Sequence, residues 1–169
     1  KNKYASDILM KTKSNFLDFI FIWIRTNFFI PDSRSFLIKP SISFLNNYLK
    51  SHPVDVIISS GPPHSMHMIA LSLKQYHNLK WIADFRDPWT DIEYFDKLPF
   101  LPFMKSKHKK MEKKVVSNAD LVLSVSPYWA SQIQQIGAKK TFVLYNGFDV
   151  DDYRQSIQKT NSNRFKIGH

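Results

Sequence analysis

Apolar residues follow two different rhythms along the chain. Over residues 5–29 they recur at helical spacing and crowd onto nearly every face in the second half. That predicts a helix that is either buried or carries a greasy contact surface. Pro31 ends this element, and Pro31-Asp32-Ser33-Arg34 has the chemistry of a loop. Pro40 suits a first helical turn, and Ile42, Leu45 and Leu49 then repeat at helical spacing up to Lys50. From residue 54 short β-branched runs alternate with helical ones. Val54–Ser59, Trp81–Phe85, Leu121–Val125 and Thr141–Tyr145 read as buried strands. Met66, Ile69, Ala70 and Leu73, then Lys105–Ser117, then the segment opened by Ser126-Pro127 and ending near Gly137, read as the helices between them. Residues 150–163 are polar and aperiodic and read as a linker.

Strands alternating with helices of this length predict an α/β protein with a Rossmann-like parallel sheet flanked by helices. In open sheets of this kind ligands bind beyond the carboxyl ends of the strands. The loops to inspect are therefore 59–64, 84–90, 124–127 and 146–149.

Composition narrows the choice of function. The chain has 169 residues, 43% of them hydrophobic, and no cysteine. It can bury a core, but it offers no disulfide framework and no cysteine-held metal. The net charge of +10 admits an anionic membrane surface, a nucleic acid or a phosphorylated substrate. The richest basic run, Lys105–Lys114, has no interleaved aromatics and reads first as the solvated face of a helix. The most apolar stretch, Asn15–Ile30, is interrupted by Asp18, Arg25 and Asn27. A membrane span needs ~20 predominantly apolar residues, so this stretch is a core or interfacial helix. Lys1 is not a start methionine, and no signal pattern follows it.

The loop Ser59-Ser60-Gly61-Pro62-Pro63-His64-Ser65 joins a strand to a helix start. Its exposed N–H groups would favour an anion or a sugar hydroxyl, and His64 could exchange a proton there. The same residues are equally readable as a tight turn without a ligand. His64 and His67 lie three apart with no evident third ligand, so no metal site is expected. The strongest signal is Trp81-Ile82-Ala83-Asp84-Phe85-Arg86-Asp87-Pro88-Trp89-Thr90. Asp84 and Asp87 could act as a base or orient a hydroxyl, and Arg86 could grip a phosphate. The competing reading is an internal Arg–Asp pair that pins the loop, with Trp89 as a lid on the core. Asn146-Gly147 is a turn signal. Asp149-Val150-Asp151 has only a superficial likeness to a metal-binding DxD. No GxGxxG, GxxxxGK[ST] or GxSxG occurs.

Ile30-Pro31-Asp32, the SSGPPHS loop, WIADFRDPW, the basic helix containing Glu112, Asn118–Ser126 and Tyr145-Asn146-Gly147-Phe148-Asp149 occur in this order. Together they resemble the N-terminal, acceptor-side domain of bacterial family 4 glycosyltransferases over residues 30–150. The resemblance implies one half of a GT-B architecture. It implies transfer of a sugar from a nucleotide-sugar donor, the co-substrate, to a glycan or lipid-linked acceptor in polysaccharide or envelope synthesis. Retention is usual in that family, and no metal or other cofactor is required. By analogy Asp84, Asp87 and Arg86 are catalytic candidates. Gly61, Pro62, His64, Trp89 and Asn146 would meet the acceptor. A cytoplasmic location is implied, with peripheral contact at the inner membrane face.

The same resemblance implies that residues 1–150 form a partial acceptor domain lacking its opening strand. Residues 151–169 would then be a linker and the first strand of a donor domain, and the chain alone would be inactive. Two other readings compete. A non-enzymatic basic module would bind anionic lipid or nucleic acid through Lys105–Lys114, although nucleic acid is the less expected partner. A nucleotide-sugar epimerase would use the same cleft.

Overall fold

A computed structural model describes residues 16–151. Helix α1 (Phe16–Phe28) and helix α2 (Ile38–Ser51) come first, joined by a loop and a short 3-10 turn. Strand β1 (Val56–Gly61), helix α3 (Ser65–His77), strand β2 (Lys80–Phe85), helix α4 (Pro102–Asn118), strand β3 (Leu121–Ser124), helix α5 (Pro127–Ile136) and strand β4 (Thr141–Val143) follow. The four strands form one parallel sheet in the order β1-β2-β3-β4. The expected α/β, Rossmann-like arrangement is therefore present. The segment 152–169, expected to hold most of the linker and a further strand, lies outside the described residues, as do residues 1–15.

The strand order has a consequence for the layers. Right-handed crossovers between strands laid down in sequence carry every connecting helix to the same face. Trp81, Ala83 and Phe85 of β2 and Val122 of β3 point to that face. They are buried among Ala70 and Leu71 of α3, Val115 and Val116 of α4, and Ile133 of α5. The alternate residues point to the opposite face, where Val56, Ile58 and Phe142 remain exposed among the described residues.

Local chemistry fixes the elements. Pro127 sits at the start of α5, where its missing N–H costs nothing, and the Ser126 hydroxyl accepts the Trp129 N–H at 3.2 Å. Gly137 ends that helix at φ 128°, a backbone region where a side chain is strained. Strand β1 begins two residues later than expected and runs through Ser60 and Gly61. These pair with Asp84 and Phe85 of β2. Asp120 fastens the base of the sheet. Its carboxylate accepts the Trp81 N–H at 2.7 Å and pairs with Lys74.

Asn27, a polar interruption in the greasy helix, is almost fully buried. Its amide donates to the Trp23 and Pro99 carbonyls, and its oxygen accepts the Leu101 N–H at 2.7 Å. That single side chain ties the end of α1 to the start of α4. Much of the rest of α1 faces outward, with Phe16, Phe19, Phe21 and Phe28 exposed. No helix among the described residues is long and apolar enough to cross a membrane.

Candidate functional site

The carboxyl ends of β1 and β2 lie side by side, and the loops that leave them meet the loop after α1. Asp32 joins two of these loops. One carboxylate oxygen accepts the N–H of Ser65, the first residue of α3, at 2.7 Å. The other accepts the Arg34 N–H at 2.9 Å. The helix lacks a side-chain cap of its own, so Asp32 supplies one from 33 residues away. Its negative charge also sits at the positive end of the helix dipole.

His64 precedes that helix. Its ring lies flat on Trp89, with centroids 4.6 Å apart and planes 1° from parallel. The Trp89 indole N–H donates to Nδ1 of His108 at 3.1 Å. An indole nitrogen can only donate, so His108 Nδ1 is an acceptor and its proton resides on Nε2. Burial lowers the pKa of His108 to about 4, helped by Lys107 and opposed by Asp32. Burial likewise lowers His64 to about 4, against the pull of Asp32. Both rings are neutral at pH 7. Behind them His67 is fully buried and lowered to about 3 by burial and by His64. Its ring stacks on Phe85 at 4.5 Å and its Nδ1 meets the Ser59 hydroxyl at 2.8 Å.

Helix α4 holds the loop after β2. Glu112 is buried and accepts both the hydroxyl and the N–H of Thr90. Burial raises its pKa, and the bonds from Thr90 oppose that. The lysines of Lys105–Lys114 lie on a helix and largely on its solvated side, as expected, but not every residue of the run does. His108 and Glu112 turn inward on successive turns, in line with Val115, while the lysines around them stay outside. The helical spacing of His108, Glu112 and Val115 carried that signal within the basic run.

These loops surround a cavity of about 350 Å³. Pro62 and His64 line it from the loop after β1, Asp87, Pro88 and Trp89 from the loop after β2, and Asp32 and Arg34 from the loop after α1. Arg25, Tyr94 and His108 complete the wall. Among the described residues no cluster of three or more His, Asp or Glu side chains is placed to hold a metal ion.

The cavity thus gathers Pro62, His64, Asp87 and Trp89 from the expected site. Trp89 is also core, only 3% exposed, so it serves the core and the cavity at once. The other expected residues lie elsewhere. Asp84 accepts the Ser60 hydroxyl at 2.7 Å on the opposite sheet face. Arg86 donates to the Pro62 carbonyl at 2.9 Å and bridges the two loops. It forms no ion pair with Asp84 or Asp87 among the described residues. Gly61 is buried behind His64 and His67. Asn146 is exposed beyond β4 and does not reach the cavity wall. Arg25, Arg34, Tyr94 and His108 were not singled out from the sequence, because no local pattern marks residues brought together by four separate segments.

This geometry places a small-molecule-sized cavity at the carboxyl edge of a parallel sheet. No curated protein matches the chain. The model of glycosyltransferase family 4 matches residues 10–152, a span containing every loop of the cavity. On that match and this fold, the chain belongs to glycosyltransferase family 4.

Proposed function

We propose that the protein is the N-terminal, acceptor-side part of a bacterial sugar transferase that uses a nucleotide-sugar donor. The observation that carries this reading is the cavity itself. Asp87 faces it, and buried neighbours hold its loop in place: Trp89 through His108, and Thr90 through Glu112. A hydroxyl of the acceptor would donate a hydrogen bond to the Asp87 carboxylate. The hydroxyl oxygen would attack the anomeric carbon of the donor, and the bond to the nucleoside diphosphate would break. The hydroxyl proton would leave to a base or to the departing phosphate. His64, neutral and stacked, shapes the wall and offers a polar edge rather than a charge. Arg86 and the Asp84–Ser60 pair order the loops that frame the cavity.

The donor would be gripped by a second domain of the GT-B pair. The acceptor is a sugar or a lipid-linked glycan, and the protein works in the cytoplasm in polysaccharide or envelope synthesis. The exposed phenylalanines of α1, with the net positive charge, suit peripheral contact with an anionic membrane.

Nucleotide release from a panel of nucleotide sugars, measured on the full-length protein with glycan and lipid-linked acceptors, tests the proposal. Asp87→Asn should abolish transfer and leave the unfolding midpoint unchanged, because Asp87 is exposed and has no side-chain hydrogen bond among the described residues. A folded protein that binds no nucleotide sugar would overturn the reading.

A further inference from the structure

Arg25 and Arg34 reach the same cavity from different elements, the last turn of α1 and the loop that follows it. Among the described residues neither guanidinium has a carboxylate within ion-pair distance. Two guanidiniums on one cavity wall can share an anion between them. The cavity has two carboxylates of its own. Asp32 is committed to the N–H groups of Ser65 and Arg34. Asp87 stands on the wall formed by the loop after β2 and is the group assigned above to the acceptor hydroxyl.

A further donor belongs to the same lining. His108 also lines the cavity, and its Nδ1 is taken by Trp89. Among the described residues its Nε2–H meets no protein acceptor and is not sealed off from solvent. The wall therefore carries two planar cationic forks, one neutral N–H donor and one carboxylate that is not committed to a backbone N–H among the described residues. Arginine forks match the oxygens of a phosphate or carboxylate in pairs. A phosphate ester has enough oxygens to engage two forks and a third donor together, whereas a carboxylate has two oxygens to share. The volume lies within the ~300–1,000 Å³ range of small-molecule sites.

We propose that the acceptor carries a phosphate ester, held between Arg25 and Arg34 with a hydrogen bond from His108, while its sugar hydroxyl points to Asp87. This rests on the transferase reading for the identity of the ligand as acceptor. The phosphate could belong to a soluble sugar phosphate or to a lipid headgroup, and the chemistry of the site is the same for both.

The test is a binding titration without donor, on the full-length protein. Glucose 6-phosphate, glucuronate and glucose are compared by calorimetry. Vesicles of phosphatidylcholine, with and without phosphatidic acid, are compared by sedimentation. Glucose 6-phosphate should bind at least tenfold tighter than glucose and more tightly than glucuronate. Arg25→Gln and Arg34→Gln should each weaken it about tenfold, with the unfolding midpoint unchanged because both side chains are exposed. Binding only to phosphatidic acid vesicles, lost in the same variants, would assign the phosphate to a lipid. Equal binding of glucose and glucose 6-phosphate, or variants that bind like the parent, would overturn the proposal. So would an absence of binding in both arms. These results do not depend on turnover. Intact phosphate binding with no nucleotide release from any donor would sink the transferase reading alone. Turnover of neutral acceptors, untouched by Arg25→Gln, would sink the phosphate alone.

Discussion

Replacing Gly61 by alanine tests the packing beneath the cavity. Gly61 closes β1 opposite Phe85, and its backbone is not in the left-handed region. Alanine is therefore acceptable to the chain, and the loss of unfolded-state freedom alone should stabilise the fold by about 0.4–1 kcal/mol. The added methyl decides otherwise. It would lie 2.5 Å from Nε2 of His67 and 3.1 Å from Nδ1 of His64. His67 cannot move aside freely. It is fully buried, stacked on Phe85, and joined through Nδ1 to Ser59, whose hydroxyl accepts the Trp81 indole N–H at 2.9 Å. Overpacking costs about 1–3 kcal/mol and a disrupted buried hydrogen bond about 1 kcal/mol more. After the entropic gain, a net loss of about 1–3 kcal/mol is expected, or a drop of roughly 3–10 °C in Tm for a chain of this size. Urea unfolding followed by tryptophan fluorescence reads this directly. His67→Ala makes room for the methyl, so Gly61→Ala in that background should be neutral or stabilising. A Gly61→Ala protein as stable as its parent, or additivity of the two changes, would refute the packing argument.

Other consequences follow from the same buried groups. His64, His67 and His108 titrate in the fold at about 4, 3 and 4 against an ordinary 6.5. Between those limits the unfolded chain binds more protons, so stability should be full above pH 6.5 and fall as the pH drops toward 4. His64 alone contributes on the order of 3 kcal/mol, visible as a pH-dependent urea midpoint. Glu112 acts in the opposite sense, because its raised pKa favours the fold most at low pH and that advantage fades as the pH rises above 4.5. Glu112→Gln keeps an acceptor for Thr90 and should change stability by less than about 1 kcal/mol. Glu112→Ala strands both Thr90 donors and should cost about 2–3 kcal/mol, measured by the same unfolding. Asn27→Ala removes the amide that joins α1 to residues 99–101. It should cost about 2–3 kcal/mol and change the fluorescence of Trp23 before global unfolding.

How far the sequence could be read depended on whether the controlling interaction was local. Alternating strands and helices were legible because burial on a parallel sheet demands β-branched runs at fixed intervals. The end of β1 was not. Ser60 and Gly61 are turn residues by composition, yet they finish the strand because β2 offers Asp84 and Phe85 as partners. Asp84 and Asp87, three apart, read as one acidic pair. The strand's period of two sends Asp84 to the opposite face, and Asp87 lies beyond the strand where that period no longer applies. The inward turn of His108 and Glu112 needed a helical reading of a run dominated by lysine. The meeting of Arg25 and Arg34 with His108 needed the tertiary fold itself.

Under the proposed function, the loop after β2 is both a structural clamp and the carrier of a functional group. Trp89 packs in the core, stacks on His64 and fixes the tautomer of His108 through one nitrogen. Thr90 is locked by Glu112 in the next position. Two consecutive side chains are thus immobilised from helix α4, two residues beyond an exposed carboxylate. Transfer between two bound substrates depends on holding the reacting hydroxyl to within a fraction of an ångström. An aspartate on a free loop would not provide that, and an aspartate buried in an ion pair would be unavailable. Asp87 is held by its neighbours and forms no ion pair itself among the described residues. Under the proposed function, that division of labour accounts for why the residues around it read as structural.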